Sequence, residues 1–249
     1  MPLRYDPATD FPGLRAAGQA AARVLAQIVA ELRPGLTTAA IDARIAELIA
    51  AQGAVPSLKG YRGFPAASCL SVDHVVANGV PGPLALTRRS LIGINVALCL
   101  DGWHVATNRG VALDGAPERA RRLIAAAQAC LAAAISIIRP GLPLAAIGEA
   151  IAATAHQHGF TALDGYGGHG IGRAPHEGET VPNHADGGPE FLLEAGMVLA
   201  PMPMLLVGHP ALKRKPDGWT LFTADRSLSA DAKDTVGVTE HGCEVFTAG

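Results

Sequence analysis

Arg33-Pro34-Gly35-Leu36 and Arg139-Pro140-Gly141-Leu142 are the same four residues placed 106 positions apart, and their flanks match as well. An Ala-rich run precedes each copy. After each comes Ala-Ala-Ile with an isoleucine four residues on, at Ala39 to Ile45 and again at Ala145 to Ile151, closed by Gly53 and Gly159. In the first copy residues 14–32 read as a helix, because Val24, Ile28 and Leu32 step by four among Ala, Gln, Glu and Arg. Pro34 and Gly35 stop it. Thr37 or Thr38 then caps a second helix faced by Ile41, Ile45, Leu48 and Ile49. A repeat of this length predicts one domain over residues 1–249 made of two similar α+β halves, about 14–110 and 117–249, related by a pseudo-twofold. A ligand site is expected in the cleft between them.

Strand material follows each helical pair, at 67–76 and 91–100, then at 196–207 and 235–246, the last broken by a turn at His241-Gly242. Asp101-Gly102 is a second turn signal. Because the strands come in runs, a curved antiparallel sheet is expected rather than parallel βαβ winding. The net charge of −2 gives no footprint for nucleic acid. Cys69, Cys99, Cys130 and Cys243 stand singly in apolar context, as free buried thiols do in a reducing compartment. The opening residues lack a secretory pattern, and the apolar runs are interrupted before they could span a bilayer, so a cytoplasmic protein without membrane contact is expected.

The densest chemical signal is Gly165-Tyr166-Gly167-Gly168-His169-Gly170-Ile171-Gly172-Arg173, followed by His176-Glu177. Glycines on both sides of a histidine let backbone or ligand approach closely. Together with Ser71-Val72-Asp73-His74-Val75-Val76-Ala77-Asn78-Gly79-Val80-Pro81, Asp101-Gly102-Trp103-His104, Lys215-Pro216-Asp217-Gly218-Trp219-Thr220 and Val238-Thr239-Glu240-His241-Gly242-Cys243-Glu244, it resembles the methionine aminopeptidases, in their order and over nearly the whole chain. That resemblance implies the pita-bread fold shared with creatinase and prolidase. It also implies a pocket for a methionine side chain at Tyr61, Phe64, Cys69 and Trp219.

Members of that family hold two metal ions with two aspartates, a histidine and two glutamates, and a bridging water becomes the nucleophile. In this chain those positions read Asn95, Ala106, His169, Met202 and Lys233, and the further histidine before Gly-Ile-Pro reads Asn78. Four carboxylates are absent and an ammonium has been gained, which disfavours a divalent cation there. A single zinc on His169, His176 and His104 is set aside, since no helical pairing of histidines supports it. No cofactor is therefore expected.

If the backbone follows the family, Lys233 projects into the space left by the metals, toward His169 and Asn95. There burial would lower its pKa and leave a base or nucleophile; otherwise it reaches solvent or pairs with Asp231 or Asp234. His169 and His176 are candidates for acid-base work. The function expected on these grounds is a metal-independent enzyme acting on a small amine, amide or aminoacyl compound, with His169, His176 and Lys233 as catalytic groups. Tyr61, Phe64, Cys69, Asn78, Asn95, Met202 and Trp219 would bind the substrate. The alternative is a catalytically inactive pita-bread module that binds a peptide, a small molecule or a protein partner.

Overall fold

The computed structural model describes residues 3–184 and 191–248. Helix α1 (Phe11–Glu31) buries Leu14, Val24 and Ile28, the stripe that its four-residue spacing predicts. Helix α2 (Thr38–Ala51) is capped by Thr37, whose Oγ1 accepts from the Ala40 amide at 3.1 Å. Then come β1 (Val55–Pro56), β2 (Ser68–Val72), β3 (Val75–Ala77), β4 (Leu91–Leu100) and β5 (Trp103–Ala112). The strand expected at 67–76 is two strands, because Asp73 takes a φ of 55° and turns the chain between them. Strands β4 and β5 form a hairpin over their full lengths, Leu100 opposite Trp103 and Leu91 opposite Ala112. Its turn is Asp101-Gly102 at φ of 49° and 78°, both positive, the combination that suits the twist of a two-residue hairpin. The other edge of β4 takes β1 and β2, all antiparallel.

The second half opens with α3 (Glu118–Ile137) and α4 (Ala145–Gln157). By length and composition α3 could cross a membrane. Here it lays Leu123, Ala127, Cys130 and Leu131 into a core shared with α4 and the following strands. Those strands are β6 (Thr161–Ala162), β7 (Gly167–Gly170), β8 (Glu177–Pro182), β9 (Val198–Ala200), β10 (Met204–Leu206), β11 (Leu212–Arg214), β12 (Leu221–Thr223), β13 (Ser229–Asp231), β14 (Val236–Val238) and β15 (Cys243–Val245). Their orders are β15-β14-β9-β7-β8, β13-β10-β6 and β11-β12-β3, the last joining the two halves of the chain. The run expected at 196–207 breaks at Pro201-Met202-Pro203, where proline has no amide to donate to a ladder. The run at 235–246 breaks between β14 and β15, where the His241-Gly242 turn was expected.

Each Arg-Pro-Gly-Leu turn is clasped by a leucine from its own half. Gly35 donates to the Leu86 carbonyl and Leu86 donates back to Leu36, both at 2.8 Å; Gly141 and Leu142 do the same with Leu193, again at 2.8 Å. Gly35 and Gly141 stand at φ of 91° and 80°, where a side chain would be strained. The chain ends also meet. The rings of Phe11 and Phe246 pack edge to face at 5.0 Å, and Arg15 holds Glu244 through Nε at 2.6 Å. All four cysteines are free.

Candidate active site

Three strands present residues to one central cleft with the two-residue period of extended chain. Strand β4 supplies Gly93 and Asn95, and β5 supplies Ala106 and Asn108, with Asn95 directly opposite Asn108. The chain leaving β13 supplies Asp231 and Lys233. It is fixed by a backbone bridge in which Asn108 donates to the Lys233 carbonyl at 2.9 Å and Lys233 donates back at 3.3 Å. Asp234 faces the other way, toward Arg109 at 3.1 Å and the hydroxyls of Thr107 and Thr247. Strand β7 brings His169 and the Pro201–Pro203 break brings Met202. The cavity enclosed measures about 310 Å³ and is lined by Leu58, Cys69, Asn78, Asn95, Ala106, Asn108, His169, His176, Met202, Asp231 and Lys233, among others.

The glycines around His169 are used for close approach. A methyl on Gly168 would stand 2.2 Å from the Ala200 carbonyl oxygen, and one on Gly170 would stand 2.3 Å from that of Glu177. The imidazole Nδ1 of His169 lies 2.9 Å from the Gly170 carbonyl, which can only accept, so Nε2 is the unprotonated nitrogen. Lys233 Nζ donates to that Nε2 at 3.5 Å. Lys233 is 4% exposed, so it does not reach solvent, and Arg109 already occupies Asp234. Among the described residues no ion pair joins Lys233 to Asp231.

Burial sets the charge states. It lowers the Lys233 pKa against the opposing pull of Asp231. It holds His169 well below the usual imidazole range, with the Lys233 charge adding to the effect. His176 lies flat on Tyr61 at 5.2 Å and tilts against His169 at 3.9 Å. Desolvation there, then Lys233 and Arg62, bring it down to about 4, so both rings are neutral at pH 7. Asp231 is raised to about 6 and the Cys69 thiol to about 12, each first by burial.

Of the residues expected to form the site, the structure brings Cys69, Asn78, Asn95, His169, His176, Met202 and Lys233 to the cavity. Tyr61, Phe64 and Trp219 do not line it. Tyr61 backs His176 from the short helical turn Tyr61–Gly63, and Phe64 packs edge to face on Trp219 at 5.3 Å. The sequence reading missed Asn108 and gave Asp231 only as a partner for Lys233. Each lies two residues from a position it had named, Ala106 and Lys233, and the strand period was the available signal. Among the described residues no group of three or more His, Cys, Asp or Glu is placed to hold a metal ion. His104 turns its Nδ1 to Ser57 Oγ at 2.8 Å.

Antiparallel strands carrying two helix pairs, with a cleft where the halves meet, define a class. The sequence matches metallopeptidase family M24 over residues 12–240, and the chain belongs to that family. Within it, the methionine aminopeptidase of Rickettsia prowazekii is 35% identical over 99% of this chain and 96% of its own, and that of Escherichia coli K12 is 34% identical over 96% and 91%. The crystal structure of the Rickettsia enzyme superposes with a TM-score of 0.96 at 34% identity over the whole of both chains. Prolidase from Pyrococcus furiosus, at 17% identity and a TM-score of 0.79, shares the fold over 96% of this chain and 64% of its own. The pita-bread fold is therefore as the motifs implied.

These likenesses overturn the functional expectation. A metal-independent enzyme of small amines, or an inactive module, was inferred from a handful of positions in the cleft. Identity to methionine aminopeptidases runs through nearly the full length and points instead to a metallo-aminopeptidase function. The physical reason is one of scale. The ligand positions are a small part of a chain whose remaining residues build the same cleft.

Proposed function

We propose that the cleft receives the N-terminal residue of a peptide or an aminoacyl compound, and that in this chain the ligands of a dinuclear metal centre have been replaced. The first half rests on the 35% identity to a methionine aminopeptidase over 99% of the chain, with the cleft between the halves intact. Leu58, Cys69, Ala97 and Met202 give that cleft an apolar wall for a side chain such as methionine. The second half rests on donor chemistry. Two divalent cations, when bound in such enzymes, polarise the scissile carbonyl and supply the hydrolytic water. An amide, a methyl, a thioether and an ammonium beside one imidazole do not fit them, and an Asn95 Oδ1 left without a partner among the described residues agrees with that reading.

What the chain's own residues offer is a proton relay at the floor of the cleft. Lys233 Nζ donates to His169 Nε2, and the neutral His176 ring lies against His169. These three are able to hold or pass a proton beside a bound acyl group. The four free cysteines agree with a reducing compartment and a cytoplasmic setting.

Calorimetry with a methionyl tripeptide tests the first half, and elemental analysis after incubation with cobalt, manganese, iron or zinc tests the second. Saturable binding that survives chelator, with metal well below one ion per chain, is expected. Absence of binding overturns the recognition. Stoichiometric metal together with methionine release overturns the replacement and assigns the ions to other residues.

A further inference from the structure

Two buried amide oxygens in the cleft, Asn95 Oδ1 and Asn108 Oδ1, have no hydrogen-bond partner among the described residues. Acceptors left in this state are costly, and native proteins rarely keep them without a ligand, ion or water to serve them. The Asn108 amide nitrogen is already engaged: Nδ2 donates to Asp231 Oδ2 at 3.0 Å, which fixes the orientation of that amide and turns its oxygen away from the carboxylate.

Beside them lies Asp231, 7% exposed, paired with no cation among the described residues. Gly93 explains how it fits. A methyl at that glycine would stand 2.9 Å from Asp231 Oδ1 and 3.8 Å from Asn108 Oδ1, so both oxygens gather around the missing side chain. Asn95 is two residues further along the same strand and directly opposite Asn108. Three acceptors, one of them a carboxylate, thus converge at one end of the cavity. The cleft's own amine, Lys233, lies within the field of Asp231 but gives its hydrogen bond to His169.

We infer that Asp231, with Asn95 and Asn108, forms a subsite for a primary ammonium group, the free α-amine of the ligand. The proposal deepens the reading of the cleft as a receptor for peptide or aminoacyl N-termini and rests on it. A primary ammonium carries three N–H donors and no acceptor, which matches two amide oxygens that lack donors and a carboxylate beside them. The carboxylate makes the contact charge-assisted. The apolar wall at Leu58 and Met202 then takes the side chain, and the acyl end faces His169 and Lys233.

Calorimetry with L-methioninamide, N-acetyl-L-methioninamide and n-pentylammonium decides the matter. On the unaltered protein the free amine should bind at least about tenfold more tightly than its acetyl derivative, the expected scale for a charge-assisted contact. Asp231→Asn keeps the shape and should weaken methioninamide about tenfold or more while moving the acetyl compound by less than about twofold. Gly93→Ala should act in the same direction by crowding Oδ1. Equal affinity for the two methionine compounds overturns the subsite and leaves the wider reading standing, and this comparison needs no variant to fold. If neither methionine compound binds but n-pentylammonium does, in a way Asp231→Asn abolishes, the subsite stands and the wider reading falls. If none of the three binds, both fall.

Discussion

At position 42 the helix that follows the first Arg-Pro-Gly-Leu turn carries an aspartate; at 148, the same place after the second turn, α4 carries a glycine. Asp42 reaches across to β2. Its Oδ1 accepts from the Ser68 amide at 2.8 Å and the Ser68 hydroxyl at 2.7 Å, and its Oδ2 from the Ala67 amide at 3.4 Å. Gly148 reaches nowhere, because the backbone of His184 comes to it, with the carbonyl oxygen 2.2 Å from where a methyl would stand. The helix starts differ too. Thr37 caps α2 with its side chain, while Leu144 at the start of α4 has no side-chain cap. What the halves share is backbone: Thr38 donates to the Leu84 carbonyl at 2.9 Å, Leu144 to that of Phe191 at 3.0 Å, and each turn keeps its leucine clasp. The chain path was retained while the side chains that tie it down diverged. The cleft shows the same separation, an intact cavity with exchanged donors.

Three substitutions would break that comparison, each read by urea denaturation. Gly148→Ala should cost the most, about 3 kcal/mol or more, because a methyl against a backbone carbonyl can be relieved only by moving α4 or the chain at 184. A loss below about 0.5 kcal/mol would mean that the approach is loose, a value ordinary for surface changes. Asp42→Ala should cost about 2 kcal/mol by leaving the Ala67 and Ser68 amides without an acceptor. An unchanged midpoint would show that the β2 edge holds without α2. Thr37→Ala should cost about 1 kcal/mol, the usual worth of a cap. A smaller loss would sharpen the contrast, showing that the clasp alone holds the first turn as it does the second.

Much of the scaffold was readable because it repeats. Proline and glycine in the two turns, the helical stripes beside them and the Asp101-Gly102 hairpin are local signals that survive without tertiary knowledge. The breaks at Asp73 and at Pro201–Pro203 were less so, since apolar residues on both sides read as one strand and only the backbone geometry separates them. In the cleft, His169, Asn95, Met202 and Lys233 were found by alignment to a motif. Asp231 and Asn108 belong to the site through strand period and register, and register is a long-range fact that a single sequence does not state. Tyr61, Phe64 and Trp219 stand behind the cavity lining, Tyr61 against His176 and Phe64 against Trp219, and which ring faces a cavity is again a long-range fact. The functional expectation erred by weighing a few exchanged donors above the length of the likeness around them.

The meeting of Phe11 with Phe246 has a consequence in time. A growing polypeptide exposes α1 early, yet the ring and the carboxylate that cover part of it, at Phe246 and Glu244, are made more than two hundred residues later. At synthesis rates on the order of 5–20 residues per second, that helix waits roughly ten to fifty seconds for them. Through that interval the apolar face at Phe11 is open to whatever meets a nascent chain, and it is covered only when Phe246 arrives.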